Sequence, residues 1–329
     1  MAHRFDVVGL GNAIVDVLAP VDEQFLLTHS IAKGVMTLID EHRASQLHAA
    51  LKNTREIAGG SGANTMAGFA SLGGNGVYQG KVKQDRLGEA FRASMKDTGV
   101  HFTTASASDG PSTALCIVAV TPDEQRSMST YLGAAREFSV ADIDEEQIVG
   151  AEVLYIEGYL WDSPSAKAAC LKAISSARKA GTKVAFAMSD PFLIGRYGDE
   201  FRKMMPSFDI VFANEEEAKA LFGVDQFDDV LQAAKGWNGI AALTRSEKGC
   251  VIARGGEVHV VDAWPGVKVI DTTGAGDQFA AGFLYAFTHG KGLAECGKLA
   301  GLTAAEVISH YGARPEVPLR KLAADAGLI

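Results

Sequence analysis

Short apolar runs alternate with amphipathic segments along nearly the whole chain. Runs such as FDVVGLG, EVLYIEGYL, TKVAFAMS and FDIVFA are each followed by a turn or by a helical pattern such as SAKAACLKAISSARKAG or NEEEAKALFG. This alternation predicts β-α-β units, in which helices cover both faces of a parallel sheet. We therefore expect an α/β fold of three layers, α/β/α, around a mostly parallel central sheet.

Two stretches interrupt this rhythm. The residues from Val17 to Ile57 and from Ser112 to Tyr131 are richer in β-type runs, for example STALCIVAV, and in turn residues. They predict a small sheet that protrudes from the main body. The sequence contains no long Pro/Gly/Ser-rich linker and no repeat of fixed period. We therefore expect a single domain over residues 1–329.

Composition and charge exclude several classes of protein. The net charge of −9 over 329 residues argues against a broad basic face for nucleic acid. No apolar stretch reaches the ~18 residues that span a bilayer, and the first apolar run is broken by Asp6 and Asn12. We therefore expect a cytoplasmic protein with neither a membrane nor a nucleic-acid partner. The four cysteines form no CxxC pair, so neither a zinc ribbon nor a disulfide framework is indicated.

Two familiar nucleotide-binding patterns are present only in part. The opening GLGNAI begins as G-x-G-x-x-G, but its third position is Ile14, and Asn12 and Asp16 come far too soon for the ribose-binding acid expected ~20 residues later. The stretch GLAECGKL resembles G-x-x-x-x-G-K, but it ends in Leu299 where a Ser or Thr would hold magnesium. Neither a Rossmann dehydrogenase nor a P-loop is therefore expected.

The stretch DTTGAGDQF combines small residues with acidic ones. Gly274, Ala275 and Gly276 let the backbone approach a ligand closely, and a helical pattern with Phe279 and Phe283 follows. Free amides at a helix N-terminus favour an anion. Asp277 could simply cap this helix. A carboxylate beside an anion-binding nest also suits phosphoryl transfer, in which it takes the proton of the attacking hydroxyl.

This stretch resembles the C-terminal signature of the ribokinase-like (PfkB) carbohydrate and nucleoside kinases, and the resemblance covers nearly the whole chain. AGGSGANTMAGFASLGG is similar to the N-terminal signature of that family. The resemblance implies that Gly60 and Asn64 bind sugar hydroxyls, although a glycine-rich turn with an asparagine cap would need no ligand. It also implies a small β lid at about residues 17–58 and 112–134.

Further site residues follow from the same resemblance. It places Asp16, together with Asn12, on the ribose hydroxyls, against the alternative of a turn asparagine and a solvated aspartate. It assigns Asn214 and Glu217 of NEEE to magnesium and phosphate, although the same spacing is a capping box. It implies that Arg126, otherwise a surface charge, reaches the phosphates when the lid closes. The residues that would contact ATP are Asn214, Thr244, Gly249, Gly274 and Gly276.

The middle of the chain is similar to the adenosine kinases of this family in particular. The similarity implies that Phe192 stacks on a purine and that Ile14 completes the slot, although Phe192 could instead be a core residue behind the Asp190-Pro191 turn. We expect Mg²⁺- and ATP-dependent phosphorylation of the 5′-hydroxyl of a purine nucleoside, adenosine first, by a monomer or homodimer. A monovalent cation such as K⁺ is a further expected cofactor. A ribose or fructose kinase and a noncatalytic nucleotide-binding protein are the alternatives.

Overall fold

A nine-stranded sheet forms the centre of the molecule. The computed structural model describes residues 3–123 and 125–329. The sheet order is β14-β13-β12-β11-β10-β9-β1-β5-β6. Its strands are β1 (Phe5–Leu10), β5 (Gly76–Gln79), β6 (His101–Phe102), β9 (Ala151–Glu157), β10 (Lys183–Ala187), β11 (Ile210–Asn214), β12 (Ile240–Thr244), β13 (Cys250–Arg254) and β14 (Glu257–Val261). The strands from β6 to β12 pair in parallel, and β13 and β14 add an antiparallel edge.

Successive side chains of the central strands enter two different cores. In β9, Val153 and Tyr155 face one core, whereas Leu154 and Ile156 face the other. The apolar run of this strand is nearly continuous because both faces of a parallel sheet are covered. This arrangement confirms the predicted three-layer α/β/α fold with a mostly parallel sheet.

Helices form the two outer layers. The α-helices of the described residues, including those that do not cover the large sheet, are α1 (Glu23–Thr28), α2 (Glu41–Ala50), α3 (Ser61–Ser71), α4 (Arg86–Asp97), α5 (Glu145–Val149), α6 (Pro164–Ala180), α7 (Pro191–Met204), α8 (Glu215–Phe222), α9 (Phe227–Ala234), α10 (Ala275–Thr288), α11 (Leu293–Val307) and α12 (Leu319–Asp325). Local signals set their ends: α6 is capped by Ser163, begins with Pro164 and stops at Gly181, whose φ is +81°. Helices α3, α10 and α11 pack against one another on one face of the sheet.

A second sheet of five strands lies at the predicted interruptions. It has the order β3-β8-β7-β2-β4, with β2 (Ile14–Pro20), β3 (Met36–Leu38), β4 (Arg55–Gly59), β7 (Ala114–Val120) and β8 (Arg126–Tyr131). We call it the small sheet. It begins at Ile14, three residues before the predicted start, because β2 follows β1 after only three intervening residues. The chain therefore enters the small sheet directly from the carboxyl end of β1, an interior strand of the large sheet.

Candidate active site

Several of the predicted site residues lie at the carboxyl edge of the large sheet. Asn12 follows β1, Asn214 ends β11 and Thr244 ends β12, and Glu157, which was not predicted, ends β9. The carboxyl ends of parallel strands share one edge, and this edge is where open α/β sheets bind ligands. The topology thus brings together residues that are more than 200 positions apart in sequence.

The glycine-rich stretch forms the N-terminus of α10. Gly274 has a φ of +79°, and a Cβ on it would lie 2.6 Å from the Cα atom of Ala313, so glycine is required there. Gly276 faces open space, whereas the Ala275 amide donates to the Thr272 carbonyl at 3.2 Å. The open side of this turn lies at the positive end of the helix, where an anion is favoured.

Asp277 lies in the first turn of α10, and its carboxylate contacts another helix. Oδ1 accepts a hydrogen bond from Ser61 Oγ at 2.6 Å, and Oδ2 accepts one from Asn64 Nδ2 at 3.2 Å. Burial raises the pKa of Asp277 to about 6, against the opposing effects of these two donors and of Arg314. A carboxylate with a pKa near neutrality is suited to proton transfer.

The Gly59-Gly60 pair makes room for Asp16 and for the backbone of Asn12. A Cβ on Gly59 would lie 2.2 Å from Asp16 Oδ2. Gly60 has a φ of +88°, and a Cβ on it would lie 2.1 Å from the Asn12 carbonyl oxygen. Burial is the main cause that raises the pKa of Asp16 to about 7, and Arg314 opposes it. Both glycines are therefore required by close packing at the point where the two sheets meet.

Glu157 stabilises the point where the two sheets meet, through hydrogen bonds to Asn12 and Gly62. Its Oε1 accepts from the backbone N–H of Asn12 at 2.9 Å and from Asn12 Nδ2 at 2.7 Å, and its Oε2 accepts from the Gly62 amide at 2.6 Å. Only 1% of Glu157 is exposed. Burial raises its pKa to about 7, although the three donors favour the charged form. The side-chain amide nitrogen of Asn12 thus has a protein partner that the sequence did not indicate.

Arg126 joins the small sheet to the loop that precedes the glycine turn. Its Nη1 lies 2.7 Å from Asp271 Oδ2, and its guanidinium carbon lies 5.2 Å from the ring centroid of Tyr311. Its side chain is 11% exposed, so the alternative of a surface charge is wrong. Its Nε is buried without a hydrogen-bond partner among the described residues. Asp271 also accepts from the Thr273 and Gly312 amides, which fixes the loop.

Asn214 and Glu217 form a complete capping box at the start of α8. Asn214 Oδ1 accepts from the Glu217 amide at 2.8 Å, and the Glu217 carboxylate accepts from the backbone and side-chain N–H groups of Asn214 at 2.9 and 2.8 Å. Such a cap stabilises a helix by ~1 kcal/mol. Burial raises the pKa of Glu217 to about 7, and Asp190 adds to the effect. The structural interpretation of this motif is therefore confirmed.

The remaining predicted residues have different environments. Gly249 has a φ of +77°, and a Cβ on it would lie 2.1 Å from the Val261 carbonyl oxygen. Thr244 pairs with Asn214 across β11 and β12, and Ile14 begins β2. Phe192 is 79% exposed, so the alternative of a core residue is wrong.

Sequence reasoning missed three residues that complete the cluster. Ser61 donates a hydrogen bond to Asp277, and Arg314 donates one to Asn64. Glu157 accepts a hydrogen bond from Asn12. Glu157 carried a signal, because it is a charged residue that directly follows the apolar run VLYI and is buried. Arg314 lies in an irregular loop after α11, where no periodicity marks it.

The described residues contain neither a cluster of metal-ligating side chains nor a membrane-spanning helix. No group of three or more His, Cys, Asp or Glu side chains in residues 3–123 and 125–329 could hold a metal ion. Over the same residues, every helix is too short or too polar to cross a bilayer.

Comparison with known proteins decides the family. The pattern of the pfkB family carbohydrate kinases matches residues 31–320. The chain belongs to the pfkB family. The chain is similar to a probable sugar kinase protein from Rhizobium etli CFN 42, whose crystal structure is known. The sequence identity is 44%, the match covers 99% of this chain and 100% of that chain, and the TM-score is 0.92.

Two adenosine kinases are also similar. The structure of adenosine kinase from Sinorhizobium meliloti is 44% identical, covers 98% of this chain and 99% of that one, and has a TM-score of 0.90. Adenosine kinase 1 of Arabidopsis thaliana is 29% identical over 340 residues, which cover 95% of this chain and 96% of that protein. The pfkB protein described here has the ribokinase-like fold and is an ATP-dependent phosphotransferase.

Proposed function

We propose that this pfkB kinase transfers the γ-phosphoryl group of ATP to the 5′-hydroxyl of a purine nucleoside, adenosine first. The observation that carries the proposal is the position of Asp277, beside the glycine turn and at the head of α10. Similarity to adenosine kinases from Sinorhizobium meliloti and Arabidopsis thaliana supports the choice of acceptor. The exposed ring of Phe192 supports it as well, since a base can stack on an accessible aromatic side chain.

Asp277 acts as the general base in this proposal. Its carboxylate accepts the proton of the 5′-hydroxyl while that oxygen forms a bond to the γ-phosphorus. The bond from the γ-phosphorus to the oxygen bridging the β- and γ-phosphates breaks, and ADP leaves. Ser61 and Asn64 hold the carboxylate in place through the two hydrogen bonds to its oxygens.

The transferred group needs positive charge, because its oxygens carry negative charge through the transition state. The turn formed by Gly274, Ala275 and Gly276 supplies backbone dipoles at the positive end of α10. Arg126 supplies a guanidinium near that turn, because it pairs with Asp271, which precedes Gly274 by three residues. Its buried and unpartnered Nε is a donor available for a phosphate oxygen when the small sheet closes as a lid.

The acceptor binds between the two sheets. Asp16 and Asn64 supply polar atoms for the ribose hydroxyls, and Asn12 and Gly60 shape the turn around them. Ile14 lies at the start of β2 and closes the apolar side of the slot.

Asn214, Thr244 and Gly249 would hold ATP and its metal ion along the same edge of the sheet. Glu217 fits a role in holding Mg²⁺ through water, because each of its oxygens keeps a lone pair beyond the bonds from Asn214 and its neighbour Asp190 adds negative charge. Mg²⁺ would neutralise charge on the ATP phosphates. K⁺ remains a further proposed cofactor, with no residues assigned to it.

A sugar kinase is the second candidate. The probable sugar kinase from Rhizobium etli CFN 42 matches this chain with the same identity as the adenosine kinase from Sinorhizobium meliloti. Sequence identity alone therefore does not decide between a sugar and a nucleoside as the acceptor. The exposed aromatic ring favours the nucleoside, since a free sugar has no aromatic base to stack on it.

A panel of acceptors tests the proposal directly. ADP release is measured with adenosine, inosine, guanosine, ribose and fructose, for the wild type and for Phe192→Ala. We expect kcat/KM for adenosine to exceed that for either sugar by at least about tenfold, because stacking and burial of the base contribute more than ~1.4 kcal/mol. Phe192→Ala should raise the adenosine KM severalfold and leave sugar turnover unchanged. Leu27→Ala is the control, because Leu27 is 73% exposed on α1. A higher kcat/KM for ribose or fructose would reject the nucleoside and leave the sugar kinase.

Glu217→Gln separates the cap from the magnesium role. Gln keeps one acceptor oxygen for the capping box and loses the other, so the melting temperature should fall by no more than about 2 °C. The Mg²⁺ concentration for half-maximal rate should rise severalfold, because a negative charge near the metal is lost. Glu216→Gln is the matched control, since Glu216 is exposed in the same helical turn and pairs with Lys219. Equal magnesium dependence in both variants would leave Glu217 only its structural role.

A further inference from the structure

Arg314 lies beside the proposed base and is outside every motif of the sequence. It belongs to the loop between α11 and α12. Its Nε donates to Asn64 Oδ1 at 3.2 Å, its Nη1 donates to Ser94 Oγ at 2.9 Å, and its Nη2 lies 3.7 Å from Met95 Sδ. The guanidinium therefore bridges α3, which carries Asn64, and α4, which carries the other two partners.

The contact with Arg314 fixes which way the Asn64 amide points. A guanidinium only donates hydrogen bonds, so the oxygen of the Asn64 amide must face it. The amide nitrogen is then directed to Asp277 Oδ2, at 3.2 Å. Gln278 Nε2 ties the same region to α10, because it donates to the carbonyl oxygens of Asn64 and Ala313 at 3.0 Å each.

Arg314 also provides positive charge to a group of acidic side chains. Asp277 is surrounded by Asp16 on β2 and by Glu157 and Tyr155 on β9, and Tyr159 follows β9. Arg314 lowers the pKa values of both Asp277 and Asp16, and Arg126 on β8 also acts on Asp16. Burial lowers the pKa of Arg314 itself to about 10, so it stays protonated at neutral pH.

We propose that Arg314 is a positioning residue for phosphoryl transfer, which turns the Asn64 amide toward Asp277 and supplies the charge that keeps this base ionised. The proposal rests on Asp277 being the base. It separates two functions of one side chain, a directional hydrogen bond and a charge, and these two can be removed independently.

The pair Arg314→Lys and Arg314→Gln tests it. The readout is the pH dependence of kcat/KM for the acceptor, whose acid limb reports the ionisation of Asp277 and Asp16 together. ATP titrates identically in all variants, so differences between the profiles report the protein. Arg314→Gln should move the acid limb up by about one pH unit, as expected for the loss of a neighbouring opposite charge. Arg314→Lys should leave the limb within a few tenths of a unit and lower kcat severalfold.

Arg92→Gln is the control for loss of a part-buried arginine. Arg92 lies on α4 and donates to Ser106 Oγ and to the carbonyl oxygens of Phe102 and Thr104. The Arg92→Gln variant should have a lower melting temperature and an unchanged acid limb of the kcat/KM profile. If Arg314→Gln has the same pH profile as Arg314→Lys, the charge role is wrong.

Asp277→Asn distinguishes failure of this inference from failure of the proposed base. Loss of turnover in Asp277→Asn with an unmoved limb in Arg314→Gln would reject the role of Arg314 and leave that of Asp277. Wild-type turnover in Asp277→Asn would reject both, because Arg314 would then have no base to position.

Discussion

Replacing Asp277 by Asn is expected to lower kcat by about 10²- to 10⁴-fold, the range for removal of a general base. The amide is isosteric with the carboxylate and can still accept a hydrogen bond from Ser61, but it cannot take the proton of the acceptor. ATP affinity and melting temperature should stay close to the wild type. Single-turnover kinetics with saturating acceptor measure the chemical step, and calorimetric titration measures ATP binding.

The wild-type pH profile gives an independent check of the same role. Asp277 has a raised pKa of about 6 in the free enzyme, and the base is active only when ionised, so kcat/KM for the acceptor should fall as the pH drops below about 6. Ser61→Ala should move this fall to higher pH, since it removes a donor that favours the ionised carboxylate and leaves the base itself in place. Turnover within threefold of the wild type in Asp277→Asn would show that another group accepts the proton.

Replacing Glu157 by Leu is expected to give the largest loss of stability. The change leaves three buried N–H groups of Asn12 and Gly62 without their acceptor. At about 1 kcal/mol or more for each unpaired donor, the free energy of unfolding should fall by about 3 kcal/mol. With an unfolding entropy of ~2.1 cal/mol/K per residue, the melting temperature should drop by about 4 °C. The acceptor KM should rise as well, because Asn12 and the start of α3 border the proposed acceptor site.

Two further variants show whether the buried bonds cause this loss. Glu157→Gln keeps one acceptor oxygen and should lie between Leu and the wild type. Glu152→Leu makes the same chemical change at the other end of β9, where the side chain is partly exposed, and should cost little. Equal melting temperatures for the two Leu variants would contradict the supporting role of Glu157.

Local patterns in the sequence were enough to predict the layers of the fold. A central parallel strand is buried on both faces, so its apolar run is visible without any tertiary information, as in residues 151–157. Helix ends marked by Ser163, Pro164 and Gly181 depend only on neighbours in sequence. The glycine turn before Asp277 was predictable for the same reason, because flexible residues and a helix start are both local features.

Only the tertiary structure decided which residues complete the site. Arg126 on the small sheet pairs with Asp271 in the loop before α10, and Glu157 reaches Asn12 over 145 positions in sequence. Arg314 reaches Asn64 over 250 positions. Such contacts leave no periodic trace, because each depends on where separate elements meet in the folded chain. Burial then sets the charge state of the acidic side chains, and burial exists only after the sheets and helices have packed. The sequence by itself determined the strand–helix order and the flexible turn at the base, whereas long-range packing determined the partners that hold that base in place.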